Sequence, residues 1–165
     1  MTRVNWKFSK MRIPNFPTVR LAQLSSFFAH HPSFLSEILA IENVKHAYDL
    51  LEVTTSKYWQ KHFDFGKETT KSFSFGTYSK QILIINVFAP VLAAFARYSA
   101  NDLYMDKAVH LLEQIPAEVN TVTKQWNGLV PSNSSVDSQG ALQLHNEYCL
   151  KKKCLSCSIG LSILT

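Results

Sequence analysis

Apolar residues recur at helical spacing along most of this chain. Between Thr18 and about His30, Val19, Leu21, Ala22, Leu24, Phe27 and Phe28 fall three or four positions apart. That spacing predicts a helix with one apolar face, and Thr18 stands where a capping hydroxyl is wanted. His31-Pro32 ends it, because the residue before a proline is pushed out of helical geometry. FLSEILAI (34–41) and VKHAYDLLEV (44–53) predict two short amphipathic helices, the second capped by Asn43. Lys57 to Phe63 predicts one more helical turn.

The pattern changes at 64–78, DFGKETTKSFSFGTY, where Phe alternates with Lys, Thr and Ser around two glycines. This predicts a loop or a short hairpin. Helix resumes from Ser79 to about Tyr98, apolar on nearly every side and bent at Pro90, and is expected at the centre of a bundle. NDLYMDKAVHLLEQI (101–115) opens with Asn101 as a cap. PAEVNTVTKQW follows with Pro116 in the first turn, where proline is tolerated. GLVPSNSSVDS (128–138) is a polar loop. A helix from about Ser138 leads to Cys149, and a last one follows Cys154. The expected fold is all-α: one globular domain over 1–165 with about seven or eight helices, a basic lead-in at 1–14 and a cysteine-rich loop at 145–157.

Composition adds little to that fold. Hydrophobic residues make up 46% of the 165, and with five Gly and six Pro the chain is neither disordered nor fibrous. The longest apolar run, 82–96, is shorter than the roughly 20 residues of a membrane span and is interrupted by Asn86 and Pro90. The first residues are basic without an apolar stretch behind them, unlike a secretory signal. These features predict a cytoplasmic protein with no membrane partner, whose cysteines are thiols or ligands rather than disulfides.

Charge is more informative, because the net charge of +5 sits at the ends. Arg3, Lys7, Lys10, Arg12 and Arg20 occupy the first 20 residues without an acid, and Lys151, Lys152 and Lys153 occupy an acid-free stretch from 148 to 165. A solvated arm and a solvated lysine turn explain this simply. If the ends meet in space, Arg12, Arg20 and Lys151–Lys153 become a nucleic-acid-contacting surface.

The only three cysteines, Cys149, Cys154 and Cys157, lie within nine positions. Structural zinc and iron–sulfur centres need thiolates converging about 2.3 Å from the metal, and close spacing lowers the entropy of gathering them. His145, one helical turn before Cys149, completes a Cys3His set. Zinc or an iron–sulfur cluster is thus one reading; the other is that the cysteines are small core residues. Tyr58-Trp59-x-x-His62-Phe63 is an aromatic cluster read first as packing and second as a binding platform. Glu118 and Asn120 are polar and either line a site or suit a helix start. No GxGxxG, GxxxxGK[ST], HExxH or GxSxG motif is present, so no catalytic residue is assigned.

MRIPNFPTVRLAQL (11–24), YWQKHFDF (58–65), ILIINVFAPVL (82–92), IPAEVN (115–120) and SQGALQLHNEYCLKKKCLSCSIG (138–160) occur in this order. Together they resemble the C-terminal half of the bacterial domain-of-unknown-function family 2851. One departure is Arg12-Ile13-Pro14-Asn15, where the family pattern has Arg-Pro-x-Asn. The resemblance implies an extra N-terminal segment with a nuclease-like core in longer members, so that this chain is the C-terminal part of a longer protein. It also implies that Cys149, Cys154 and Cys157 belong to the family's cysteine stretch. The resulting expectation is a helical accessory domain with a Cys-based metal site and a basic surface. The alternative is a metal-free interaction domain packing on its missing N-terminal part or on another protein.

Overall fold

The computed structural model describes residues 6–8, 10–71, 73–126 and 132–164. It is all-α apart from one small hairpin, and its residues divide into two compact units, 1–83 and 84–165.

The first unit opens with a 3-10 turn, Ile13–Asn15, into α1 (Pro17–His30). Pro17 pre-sets the first helical φ. Thr18 does not cap this helix; its hydroxyl donates instead to the carbonyl of Phe63, 2.7 Å away, and ties α1 to the hairpin. Only one side of the predicted apolar stripe is covered. Val19, Ala22 and Phe27 are buried, whereas Leu21, Leu24 and Phe28 stay about half exposed. Gln23 is buried among them because its amide donates to the Phe73 carbonyl at 2.9 Å and its oxygen accepts from Arg20. α2 (Phe34–Leu39) and α3 (Val44–Leu50) follow. Asn43 caps α3 as its sequence position predicts, accepting from His46 N at 2.9 Å. Ile38, Ile41, Ala47, Leu50 and Leu51 complete this core.

Of the turn expected at Lys57–Phe63, residues 57–61 do turn, with Gln60 N donating to Ser56 O and Lys61 N to Tyr58 O, both at 3.0 Å, and the chain then enters a strand at His62. β1 (His62–Asp64) pairs antiparallel with β2 (Lys67–Glu68) around Gly66, whose φ of +66° suits glycine. The aromatic cluster packs this hairpin. Tyr58 stacks on His62 at 3.9 Å, Trp59 meets Phe65 edge-on, and Phe63 meets Phe16 edge-on. α4 (Thr77–Leu83) closes the unit. Its Lys80 is buried, with the ammonium donating to Glu52 and to the Tyr48 carbonyl.

The second unit begins with a π-helical turn, Ile84–Phe88, and continues as α5 (Ala89–Ser99) with Pro90 in its first turn. Proline has no N–H for the carbonyl four residues back, and the wider π turn accommodates that loss where a simple bend was expected. Ile84, Ile85, Phe88, Ala89, Leu92 and Ala96 are buried, a stripe rather than a fully buried cylinder. Burying a side chain such as Phe88 is worth about 1.5–3 kcal/mol. By length and composition alone the helical residues Thr77–Ser99 suffice to cross a membrane, which the run 82–96 by itself does not. α6 (Leu103–Glu113) packs on α5 and adds Ala108 and Leu111 to the core.

Residues 116–120 are not helical. Pro116 pairs with Ser134 in an isolated antiparallel bridge, and α7 runs only from Thr121 to Trp126. Asn120 is its cap, with Oδ1 accepting from Val122 N and Thr123 N, both at 3.0 Å. Residues 128–131 of the predicted polar loop lie outside the described residues. α8 (Ser135–Leu144) starts earlier than its apolar pattern indicates. Its Asp137 carboxylate accepts from Asn133 N, Ser134 N and the Ser134 hydroxyl at 2.9–3.1 Å. A π turn (His145–Cys149), a 3-10 turn (Cys154–Ser156) and α9 (Ser158–Leu164) finish the chain's described part.

Candidate functional site

The cysteine segment is held from its N-terminal side by two buried serines of α8. Ser135 donates through its hydroxyl to Leu112 O at 2.6 Å and through its N–H to Ile115 O at 2.7 Å. Ser138 accepts from Glu118 N at 3.0 Å and donates to Ser135 O. Glu118 also accepts from the Gln139 amide. Of the two residues read above as site residues or helix starters, Glu118 is therefore a joint of the fold, and Asn120 starts a helix, as the cap of α7.

Beyond Leu144 the π turn carries the chain to Cys149, with Leu150 N donating to His145 O at 2.8 Å. The chain then reverses. Lys153 N reaches back to Tyr148 O at 2.9 Å and Lys152 N to Cys149 O at 3.1 Å, which requires left-handed geometry at Lys152 (φ +52°). The Cys154–Ser156 turn closes with Cys157 N donating to Cys154 O, and Leu161 N then donates to Cys157 O at 2.8 Å. α9 crosses this turn so closely that a β-carbon on Gly160 would stand 2.3 Å from Cys154 O. Only glycine permits that approach.

Against these turns lies a half-open cavity of about 360 Å³. Cys149, Cys154 and Cys157 all contribute to its wall, with Leu144 and Tyr148 from the α8 side. Ile159, Gly160 and Ile163 of α9 line it as well, and Trp126 brings in the end of α7. The lining is almost wholly apolar. Cys149 and Cys154 are exposed to solvent and Cys157 is buried. The indole Nε1 of Trp126 is buried without a hydrogen-bond partner.

The structure thus brings the three cysteines to one wall but does not assemble the Cys3His set. His145 is not part of the wall, and among the described residues no three His, Cys, Asp or Glu side chains gather closely enough to hold a metal ion.

The residues expected to contact phosphate are divided. Arg12 and Arg20 belong to the first unit and Lys151–Lys153 to the second. Arg20 is committed to the fold: its guanidinium donates to Asn15 at 2.8 Å and Gln23 at 3.0 Å, lies 5.1 Å from the Phe75 ring, and has its pKa lowered by burial. Arg12 is exposed. Lys151 donates to Glu147 one turn back, and that contact holds the Glu147 carboxyl below its ordinary pKa. Lys152 and Lys153 are exposed.

A family model described as a protein of unknown function, DUF2851, matches residues 1–121. The chain belongs to the DUF2851 family. The DUF2851 match stops at the first residue of α7, so every residue lining the cavity lies beyond it. The likeness of 138–160 to that family therefore draws no support from the match. No curated protein and no solved structure matches the chain.

Tyr148 and Gly160 fall in the 138–160 stretch singled out in the sequence, whereas Trp126 and Ile163 did not stand out. The signal for Ile163 is SIGLSIL directly after the last cysteine, an apolar run that also carries Gly160; nothing local points to Trp126.

Proposed function

We propose that this chain is a helical accessory domain that acts by docking another protein, through the surface at its C-terminal end. One observation carries this reading. Within fifteen residues, Leu150, Leu155, Ile163 and Leu164 are each more than 60% exposed, and Ile159 and Leu161 are 43% exposed. Single exposed leucines need no explanation, but six exposed apolar side chains within one short segment, two of them lining one cavity, favour a surface that something covers. Lys151, Lys152 and Lys153 stand between Leu150 and Leu155, in a stretch without acids. The complementary partner is a protein face with an apolar centre and an acidic rim.

Paired substitution Leu150→Glu with Leu155→Glu tests this, since neither residue lines the cavity. The wild-type chain is expected to self-associate with rising concentration in light scattering, or to bind an apolar-surface dye. The double variant should lose that behaviour while keeping its circular dichroism. A strictly monomeric wild-type chain that binds no dye would overturn the reading. A different outcome reassigns the lysines. If single-stranded DNA or RNA binds at low salt, weakens with a log–log slope of about −0.7 to −0.9 per phosphate contact, and is lost when Lys151–Lys153 are changed to Glu, they contact phosphate instead.

A further inference from the structure

Cys154 and Cys157 stand at the two ends of one closed turn. Cys157 N donates to Cys154 O at 3.3 Å. A four-residue turn joined in that way keeps its end α-carbons within about 7 Å, and a disulfide spans about 4.4–6.8 Å between α-carbons. α9 braces the turn, since its Gly160 leaves no room for a β-carbon against the Cys154 backbone. Both cysteines contribute to the same cavity wall. They differ in access, because Cys154 is exposed and Cys157 is buried. An exposed thiol meets a disulfide from solution directly, whereas a buried one meets it only after its neighbour has reacted. Cys149 is also exposed but precedes the left-handed reversal at Lys152 and is no part of this turn.

We propose that Cys154 and Cys157 are a reversible dithiol–disulfide pair that exchanges with a low-molecular-weight disulfide, with Cys154 attacking and Cys157 resolving. With glutathione disulfide, Cys154 gives its proton to solvent and its sulfur attacks one glutathione sulfur. The glutathione S–S bond breaks, a mixed disulfide forms on Cys154, and the released glutathione thiolate takes up a proton. Cys157 then loses its proton and attacks the Cys154 sulfur, forming the Cys154–Cys157 bond and releasing the second glutathione, which is protonated in turn. Two cysteine thiols are oxidised by two electrons, and one glutathione disulfide is reduced to two thiols.

The test incubates the reduced full chain with glutathione disulfide, quenches it in acid, blocks free thiols with N-ethylmaleimide and reads tryptic peptides by mass spectrometry. Trypsin cuts after Lys153, so Cys154 and Cys157 leave together on peptide 154–165 and Cys149 leaves on another. The expected product is peptide 154–165 with an internal disulfide, two hydrogens lighter than the dithiol and restored by dithiothreitol. Cys157→Ser should stop at the mixed disulfide on Cys154, Cys154→Ser should leave Cys157 unmodified, and Cys149→Ser should change neither. A second comparison needs no variant. At one fixed ratio of glutathione disulfide to glutathione, the oxidised fraction relative to the reduced should be about tenfold higher in the folded chain than in concentrated urea. That factor is the entropy of ordering roughly one residue, which the closed turn has already lost. The proposal fails if the wild type stops at the mixed disulfide, or if the disulfide formed joins Cys149 to either of the others. It fails equally if Cys154→Ser leaves Cys157 just as reactive, or if urea leaves the ratio unchanged.

Discussion

Gly160 shows how much of the cysteine segment depends on one absent methyl group. Its missing β-carbon would fall 2.3 Å from the carbonyl oxygen of Cys154 and 2.9 Å from the carbonyl carbon, both backbone atoms that cannot rotate away. Gly160→Ala gains helix propensity, worth about 1 kcal/mol in an unobstructed helix. Here the clash wins, because α9 must lift off the Cys154 turn. The expected outcome is a net loss of about 1–3 kcal/mol in denaturant unfolding, the range for overpacked sites. Cys157, buried in the wild type, should then react with a thiol reagent as fast as Cys149 and Cys154. A variant at least as stable as the wild type, with Cys157 still protected, would show that the crossing is looser than described. Residue by residue the sequence was legible where a side chain acts locally. Asn43 caps its own helix, as its position says. Thr18 sits at an equally good capping position but bonds Phe63, 45 residues away, and no local pattern contains that partner.

At the level of elements, α8 gives the clearest link between charge and stability. The Asp137 carboxylate collects the N–H groups of Ser134 and Asn133 at the helix entrance, and these bonds hold its pKa below the ordinary aspartate value. A carboxyl with a depressed folded pKa stabilises the fold at pH above its unfolded value, about 4. That contribution fades as the pH falls from there through the lowered folded value. Asp137→Asn should therefore be less stable than wild type near neutrality, with the gap narrowing as the pH drops below about 4. Urea midpoints measured at intervals down to pH 2 check this; a constant gap would assign the loss to something other than the charge. The same element shows why boundaries were harder to read than existence. α8 was expected from about Ser138 because the apolar pattern starts there, yet Ser135 and Ser138 are fully buried by bonding to Leu112, Ile115 and Glu118. Tertiary satisfaction of polar groups extended the helix where hydrophobic spacing gave no sign. Conversely, Pro116 invited a helix that the Ser134 bridge holds extended instead.

For the whole molecule, the open choice at the cysteines was between a metal centre and packing, and the two differ in how they act on folding. A resident ion stabilises the folded chain by mass action, by about 4 kcal/mol when free metal exceeds its dissociation constant a thousandfold. Among the described residues there is no such gathering of ligands, and His145 is off the cavity wall while Cys157 is buried. Sequence spacing made Cys149, Cys154 and Cys157 neighbours and placed His145 one turn away, but it carried no information about direction. The left-handed Lys152 and the Gly160 crossing shape the segment so that the thiols line an apolar space shared with Trp126. Zinc added to reduced protein is therefore expected to leave the thermal midpoint within about 1 °C of its metal-free value, since even 1 kcal/mol would move a chain of this size by roughly 2–4 °C. Cobalt should likewise give no thiolate charge-transfer absorption. A rise of several degrees that disappears in Cys154→Ser, Cys157→Ser protein would mean that α9 yields to the ion, and the segment would then be a ligand loop that closes on its metal.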